Sequence, residues 1–226
     1  INASALDNGL HAGDLKFVDL DGNNKIEQTT SANDRKDMKV IGNSLPRYNY
    51  NFGISADWYG IDFSVLFQGI GKQNWYPGAE TSMFWGPYSR PYASFIPSDF
   101  MSQVWSEENT NAYFPRPRGY VALGSNRELA VVNTKYLQNL AYCRLKNLSI
   151  GYTLPDKWLS KIGFEKIRVY FSGENLLTFT KLHSDYIDPE QASASNSWKT
   201  SKSDANIYPW AKTYSFGVCR LPWLFS

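Results

Sequence analysis

Residues 19–27 (DLDGNNKIE) have the composition of a calcium-binding loop. Such loops place oxygen ligands at alternating positions and add a backbone carbonyl and a further carboxylate. The candidate ligands are Asp19, Asp21, Asn23, the backbone of Lys25, Glu27 and Asp34. Thr30 stands where the bidentate Glu of a calcium loop is expected, so Asp34 would have to reach the ion through a small bulge. The alternative is an Asx-rich turn without metal.

A second candidate site lies in a stretch rich in aromatic residues and prolines, between positions 69 and 137. Indole and phenol rings supply large contact areas to ligands and partner proteins. The candidate contacts, for a sugar ring or a partner protein, are Trp75, Trp85, Tyr88 and Trp105. The alternative is that these rings pack the stretch against itself.

Residues suited to catalysis are sparse. His11 and His183 are the two histidines, and neither lies in a recognisable motif. Asp188 and Glu190 are close in sequence, but glycoside hydrolysis needs two carboxylates that face each other across the substrate. The sequence contains no Gly-rich phosphate loop, nucleophile elbow or Cys/His cluster. It therefore predicts no enzyme.

Charge and cysteine content exclude further classes of function. The chain has 23 basic and 21 acidic side chains, an even balance that differs from the basic patches of nucleic-acid-binding proteins. Cys143 and Cys219 are too few for a disulfide framework. No run of apolar residues reaches the length of a transmembrane helix.

The clearest structural pattern is a strict alternation of apolar and polar residues over positions 48–58. The apolar members are Tyr50, Phe52, Ile54, Ala56 and Trp58. Tyr59 and Gly60 predict a tight turn, after which the alternation continues from Ile61 to Phe67, with Leu66 as the exception. A tilted strand needs roughly nine to eleven residues to cross a bilayer. Aromatic residues at the ends of the apolar face favour a membrane barrel over a soluble sheet.

Further strands are predicted after a long patternless stretch. Alternation resumes near Ala141, with Arg144 and Lys146 assigned to the same outward face as the apolar residues that follow. Residues 156–163 predict a short helix, Gly173 a bulge, and positions 214–218 a last strand. Five strands cannot close a membrane barrel, so we expect the segment to need further strands. Nothing in residues 1–9 predicts a signal peptide, which favours a fragment of a longer protein.

Several short strings, in order along the chain, resemble the C-terminal third of the SusC/RagA-family transporters of Bacteroidetes. The strings are 13–17 (GDLKF), 19–23 (DLDGN), 41–43 (IGN) with Pro46, 61–63 (IDF), 67–69 (FQG), 144–148 (RLKNL), 151–155 (GYTLP), 168–170 (RVY), 173–176 (GENL), 188–190 (DPE) and 214–217 (YSFG). Any one of them is weak, whereas their shared order is a strong signal. Arg220 and Pro222 depart from the alternating, aromatic-ended last strand that is usual in the family.

The resemblance implies an all-β fold: about five C-terminal strands of a large antiparallel transmembrane barrel of about 22 strands with an internal plug. It divides the chain into an extracellular loop with the calcium candidate (1–45), a hairpin (46–70), a long extracellular loop (71–137), a hairpin with a short periplasmic turn (138–181), an extracellular loop (182–207) and a terminal strand (208–226).

The resemblance also implies the function and the partners. The whole protein would import glycans or peptides across the outer membrane, under a SusD-like surface lipoprotein and with energy from the TonB system. Outer-membrane lipid would contact the apolar face, whereas Asn49, Asn51, Asp57 and Asp62 would line the interior. The alternative is a soluble, secreted, carbohydrate-binding β-sandwich, in which the same apolar side chains would be buried against a second sheet.

Overall fold

A computed structural model describes residues 11–29, 31, 33–89, 96–118, 123–124, 128–160, 163–195, 202–203 and 209–222 of the chain. The strands are β1 (Arg47–Trp58), β2 (Ile61–Lys72), β3 (Asn74–Pro77), β4 (Gln138–Asn139), β5 (Tyr142–Thr153), β6 (Phe164–Thr180), β7 (Lys202–Ser203) and β8 (Thr213–Pro222). The helices are α1 (Ser82–Trp85), α2 (Asp156–Leu159) and α3 (Pro189–Ser195), with two 3-10 turns at Gly86–Tyr88 and Phe100–Gln103.

The five long strands form one antiparallel sheet in the order β1-β2-β5-β6-β8. The predicted all-β architecture of about five strands is confirmed. The three short strands form a second small sheet, in the order β4-β3-β7. No helix in the described part of the chain is long and apolar enough to cross a membrane.

One face of the large sheet is apolar along its whole width. A row of directly paired residues crosses all five strands and consists of Ala56, Phe63, Ile150, Phe171 and Phe216. These side chains stay open to the surroundings: Ile150 is 42% exposed and Phe216 82% exposed. Within the described residues no second sheet covers this face, which argues against the β-sandwich alternative.

The opposite face is polar and carries a row of small residues. Ser55, Ser64, Ser149, Ser172 and Ser215 are directly paired neighbours from one edge of the sheet to the other. Because successive side chains of a strand point to opposite faces, this serine row lies one residue away from the aromatic row on each strand.

An ion pair crosses the polar face near the end with the short turns. Arg168 of β6 donates from Nε to Asp62 Oδ1 of β2 at 2.8 Å, and from Nη2 to Asp62 Oδ2. The pair passes over Gly151 of β5, where an added Cβ would lie 2.5 Å from both partners. The centre of the Tyr170 ring lies 4.9 Å from the Arg168 guanidinium carbon. The same ring covers Gly217 of β8, where an added Cβ would lie 2.4 Å from it. The two glycines let this cluster tie four strands together.

A bulge in β5 corrects the predicted orientation of Arg144 and Lys146. Phe67 pairs with Leu145 whereas Leu66 pairs with Asn147, so Lys146 is an extra residue in β5. An extra residue exchanges the two faces of a strand beyond it. Arg144 therefore lies on the polar face and Leu145 takes the apolar side.

The predicted bulge at Gly173 was misplaced by a short distance. Gly173 pairs in regular register with Leu148 and with Tyr214. The irregularity in β6 lies between Glu174 and Leu177, opposite the Lys146 bulge, and Asn175 there has a left-handed φ of 54°.

The turns at one end of the large sheet are short. Tyr59 and Gly60, with φ values of 46° and 85°, join β1 to β2 as predicted. α2 begins at Asp156 with Pro155 as its N-cap, and not with Asp156 as the capping residue. Arg220, one of the two departures from the family's last strand, pairs with Ile167 on the apolar face near this end. Long basic side chains at such positions extend toward the polar boundary of a membrane.

The long connection after β2, which was predicted as a long extracellular loop without a periodic pattern, is a packed body. Its core is built mostly from aromatic rings of residues 75–140, joined by residues of the connection after β6. The buried members are Trp75, Tyr76, Phe84, Trp85, Tyr88, Phe100, Val104, Phe114, Leu123, Leu129, Tyr136, Leu140, Leu182, Ile187 and Ala192. The prolines and aromatic residues of this stretch are not spaced with the period of a helix or a strand. The sequence pattern therefore did not reveal this core.

We expect Gly151→Ala to weaken the large sheet. The added methyl group overlaps the Asp62–Arg168 pair, and overpacking of this kind costs about 1–3 kcal/mol. In the complete protein, the temperature of the gel shift that accompanies barrel unfolding should fall. Ser149→Ala, on the same strand and face, is the matched control and should leave that temperature unchanged. An unshifted Gly151→Ala variant would contradict the role given to the cluster.

Candidate functional site

The calcium candidate forms a tight turn held by its own side chains. Asp19 accepts the backbone N–H of Gly22 at 2.6 Å and that of Asn24 at 2.7 Å. Asn24 has a left-handed φ of 63°, which Asn tolerates better than most residues. Asn23 Oδ1 accepts the N–H of Lys25 at 2.8 Å, and its amide donates to Asp21 Oδ2 at 3.0 Å. The Asx-rich turn is therefore present.

The third carboxylate at this turn is Asp37, which the sequence did not nominate. One oxygen each from Asp19, Asp21 and Asp37 lie within 4.8 Å of one another. The backbone N–H groups of Glu27 and then Leu20 bind the Asp37 carboxylate, at 2.7 Å and 2.6 Å, and lower its pKa. A carboxylate held ionised beside two others has the charge and the ligand type that Ca²⁺ prefers.

Two of the nominated ligands lie beside Lys36 and outside the three-carboxylate group. Asp34 Oδ2 lies 3.4 Å from Lys36 Nζ. Glu27 Oε2 lies 3.8 Å from the same ammonium and also accepts from the Asn23 amide at 3.3 Å. Asp34 is not part of the three-carboxylate group. Thr30 lies outside the described residues. Asp37 stands eighteen positions after Asp19, so no calcium-loop spacing could have found it.

Three of the four aromatic candidates have no surface left for a ligand or a partner. Trp75 and Trp85 are 0% exposed and Tyr88 is 1% exposed, all within the core of the packed body. The Trp85 indole donates to the Gly78 carbonyl at 3.0 Å, and the Tyr88 hydroxyl donates to the Pro115 carbonyl. Burial raises the pKa of Tyr88 well above its usual value. These rings pack the stretch against itself, which was the alternative reading.

Trp105, the fourth candidate, is half-buried. Its indole packs on Gly13, where a Cβ would lie 2.4 Å from the ring. The ring therefore holds the N-terminal segment against the packed body. The backbone N–H of Arg116 donates to the Gly13 carbonyl at 2.9 Å and closes the same contact.

A buried charge network joins the large sheet to the connection that follows β6. Arg144 donates to Asp188 Oδ2 at 2.7 Å, to Glu190 Oε2 at 2.7 Å and to Thr178 Oγ1 at 2.9 Å. Lys146 adds a bond to Glu190 at 2.9 Å. Arg144 is 2% exposed and Asp188 is 7% exposed, so each charge has its partner out of contact with bulk water. Removing one member of such a pair costs about 3–5 kcal/mol.

The network explains why Asp188 and Glu190 are close in sequence. They bind one guanidinium and do not face each other across a space for substrate. Asp188 Oδ1 also accepts the N–H of Glu190 at 2.9 Å. Sequence reasoning placed Arg144 on the lipid side and so missed the network, because the Lys146 bulge becomes visible only in the pairing of β5 with its neighbours.

We expect Trp85→Ala to loosen the packed body. The indole is fully buried, and truncation of a buried Trp costs about 3–5 kcal/mol. Limited proteolysis of the complete protein should then cut within residues 73–140 faster than in the parent. Met101→Ala, a 62% exposed position of the same body, should leave the cutting rate unchanged. Equal cutting of the Trp85→Ala variant and the parent would contradict the packing role.

No family model matches the chain, but comparison with known proteins finds similar sequences. The chain is 32% identical over 208 residues to TonB-dependent receptor P3 of Formosa agariphila, a match that covers 89% of this chain and 18% of that receptor. TonB-dependent receptor P26 of the same organism is 27% identical over 192 residues, covering 84% of this chain and 17% of the receptor. The chain thus spans less than a fifth of the length of these relatives.

Solved structures of the RagAB peptide importer share the fold. The closed-closed state matches with a TM-score of 0.57 and 24% identity, over 91% of this chain and 20% of the other. The open-open state matches with a TM-score of 0.56 and 22% identity, over 87% of this chain and 19% of the other. The chain is similar to TonB-dependent receptors P3 and P26 over most of its own length, and its sheet has one apolar and one polar face. The chain therefore belongs, as a segment of an outer-membrane β-barrel, to the TonB-dependent receptors.

Proposed function

We propose that the protein to which this chain belongs imports glycans or peptides across the outer membrane, together with a SusD-like lipoprotein that closes its outer mouth. The observation that carries the proposal is the sheet itself. One face is apolar and open, with Phe216 82% exposed, and the other is lined by serines and charged pairs. A wall of this kind separates lipid from a wet interior.

The loops support an orientation for this wall. Short turns lie at one end of the large sheet, and the long connections with the packed body lie at the other. In outer-membrane barrels the long loops face outward and the short turns face the periplasm. We assign residues 71–137 and 182–207 to the external side, where they would contact a lid protein and cargo. Residues 1–45 are assigned to the same side.

In the proposed mechanism, cargo is bound under the lid and released inward when TonB displaces a plug from the lumen. The polar face would brace the plug and line the path. Asn49, Asn51, Asp57 and Asp62 all lie on that face of β1 and β2. Asp62 is already held by Arg168, so its charge is balanced before any cargo arrives.

Uptake in cells tests this proposal. Cells that depend on the complete receptor should take up a labelled oligosaccharide or peptide pool, and uptake should stop when TonB is deleted. Deleting the neighbouring lipoprotein should lower uptake severalfold, because the mouth then no longer closes over the cargo. A strain with the receptor deleted is the control and sets the background.

Two results would contradict the proposed import. Uptake that is unchanged in the absence of TonB would remove the energy source from the mechanism. A receptor that is fully assembled in the outer membrane, yet leaves uptake of both pools at the deletion background, would remove import itself.

We also propose that Asp19, Asp21 and Asp37 hold Ca²⁺ on the external side. Their three carboxylates converge, and backbone N–H groups from three parts of the turn already orient them. Bound Ca²⁺ would fasten residues 19–27 to the segment around Asp37 by cross-linking them. It would take no part in any chemical step.

We expect Asp37→Asn to weaken Ca²⁺ binding by about tenfold or more, because loss of one of three charged ligands lowers the affinity of a calcium site. Asp34→Asn is the matched control and should bind as the parent does, since Asp34 faces Lys36. Isothermal titration of the complete receptor with Ca²⁺ measures both. A loss of affinity in Asp34→Asn alone would restore the original ligand set and contradict this one.

A further inference from the structure

The buried charge network brings a part of the second long connection onto the polar face of the large sheet. Arg144 lies on that face, in register with Gln68 and Thr178. Its two carboxylate partners, Asp188 and Glu190, belong to the connection after β6. Residues near Asp188 are therefore held against the inner side of the wall, at the end where the long loops lie.

The same network fixes the backbone just before β8. The N–H of Trp210 donates to Asp188 Oδ2 at 3.1 Å, and the next carbonyl, that of Ala211, accepts from the Asn175 amide at 3.2 Å. Two hydrogen bonds on neighbouring residues leave this backbone little freedom. The position of the Trp210 side chain is thus set by groups that are themselves buried or half-buried.

The indole of Trp210 projects from this fixed backbone and is 49% exposed. Lys146 Nζ lies 5.1 Å from its ring centre, within the range of a cation–π contact. Other tryptophans in the described part of the chain differ in place or in burial. Trp58 and Trp158 are exposed but lie at the short-turn end, and Trp75 and Trp85 are fully buried. Trp105 is partly buried, with its indole packed on Gly13.

Hydrogen-bonding groups of both kinds surround the ammonium that lies over the ring. The Lys146 ammonium donates to Glu190 at 3.0 Å and to Asn175 at 3.3 Å. Both Glu190 oxygens and Asn175 Oδ1 lie within reach of the three donors of the ammonium, so Lys146 is fully used. A carboxylate has about four lone-pair positions and an amide nitrogen two donors, so Glu190 and Asn175 keep capacity for a ligand. A hydroxyl group, which both donates and accepts, can use both kinds of group at once.

We propose that Trp210 is a stacking platform for a saccharide ring, with Glu190 and Asn175 binding its hydroxyls and Lys146 holding the indole from one face. The inference rests on the proposed import function and names the cargo class and its contact. Ligand sites combine an apolar surface with a few polar groups in fixed positions. Here the half-exposed Trp210 indole is the apolar surface, and the hydrogen-bonded Glu190 and Asn175 are the polar groups.

The strands beneath the platform favour a sugar over a peptide. Extended peptides bind by adding a strand to an open sheet edge. β5 and β6 are paired on both sides, β5 with β2 and β6, and β6 with β5 and β8. β8, which follows Trp210, is an edge of the described sheet and would be paired on its other side by a further strand in a closed barrel. In the complete barrel no free strand edge would then be left beside Trp210, whereas a ring face and hydroxyl partners are offered.

Binding to the complete receptor, purified in detergent, tests the platform. The probes are a pool of neutral hexose oligosaccharides and a pool of tryptic peptides. Trp210→Ala should weaken binding of the oligosaccharide pool by about tenfold, and Trp210→Phe, which keeps a smaller ring, by about threefold. Trp158→Ala removes an indole that is 61% exposed at the other end of the sheet, and it should bind as the parent does.

Each other outcome would overturn the inference. If the parent binds oligosaccharides and both Trp210 variants bind them equally well, the platform is wrong while the import function stands. If only peptide binding falls, the site is a peptide site. If the parent binds neither pool, the proposed function fails together with the platform. The Trp210→Phe variant and the gel shift on heating show whether Trp210→Ala has folded.

Discussion

A backbone N–H or C=O in hydrocarbon has no water to bond with, and each unpaired group costs several kcal/mol. This constraint decides which structures can stand in a membrane. The large sheet satisfies it because β2, β5 and β6 are paired on both sides over most of their length, with the Lys146 bulge as a local interruption. β1 and β8 are the edges, and in a closed barrel further strands pair with them. The apolar row through Phe171 and the serine row through Ser172 follow from the same pairing, because register fixes which side chains share a face.

The polar face carries two sets of charges with different tasks. Near the short turns, the Asp62–Arg168 pair crosses β5 and joins strands that are not neighbours. Near the long loops, the buried Arg144 donates to Asp188 and Glu190 and holds them against the wall. In both places a charged residue is balanced by a partner from another element, and these ion pairs hold strands of the wall and one of its loops in position.

The alternation in β1 and β2 was predictable from the sequence, because each strand carries a period of two and the turn at Tyr59 and Gly60 fixes the register between them. The orientation of Arg144 was not, since the Lys146 bulge is a property of three strands together. Burial of Trp85 in the packed body was also hidden, as aromatic spacing there follows no period. Asp37 lies beside the calcium candidate although ten positions separate it from Glu27, a separation that no motif spacing encodes.

Depth-dependent quenching along β8 tests the central claim, that the apolar face contacts lipid, most directly. In the complete receptor with Cys143 and Cys219 replaced by serine, single cysteines at positions 213–218 would carry a bimane label and be placed in brominated lipid. The account predicts quenching at 214, 216 and 218 and bright labels at 213, 215 and 217. Equal quenching at all positions, or the reverse pattern, would contradict it.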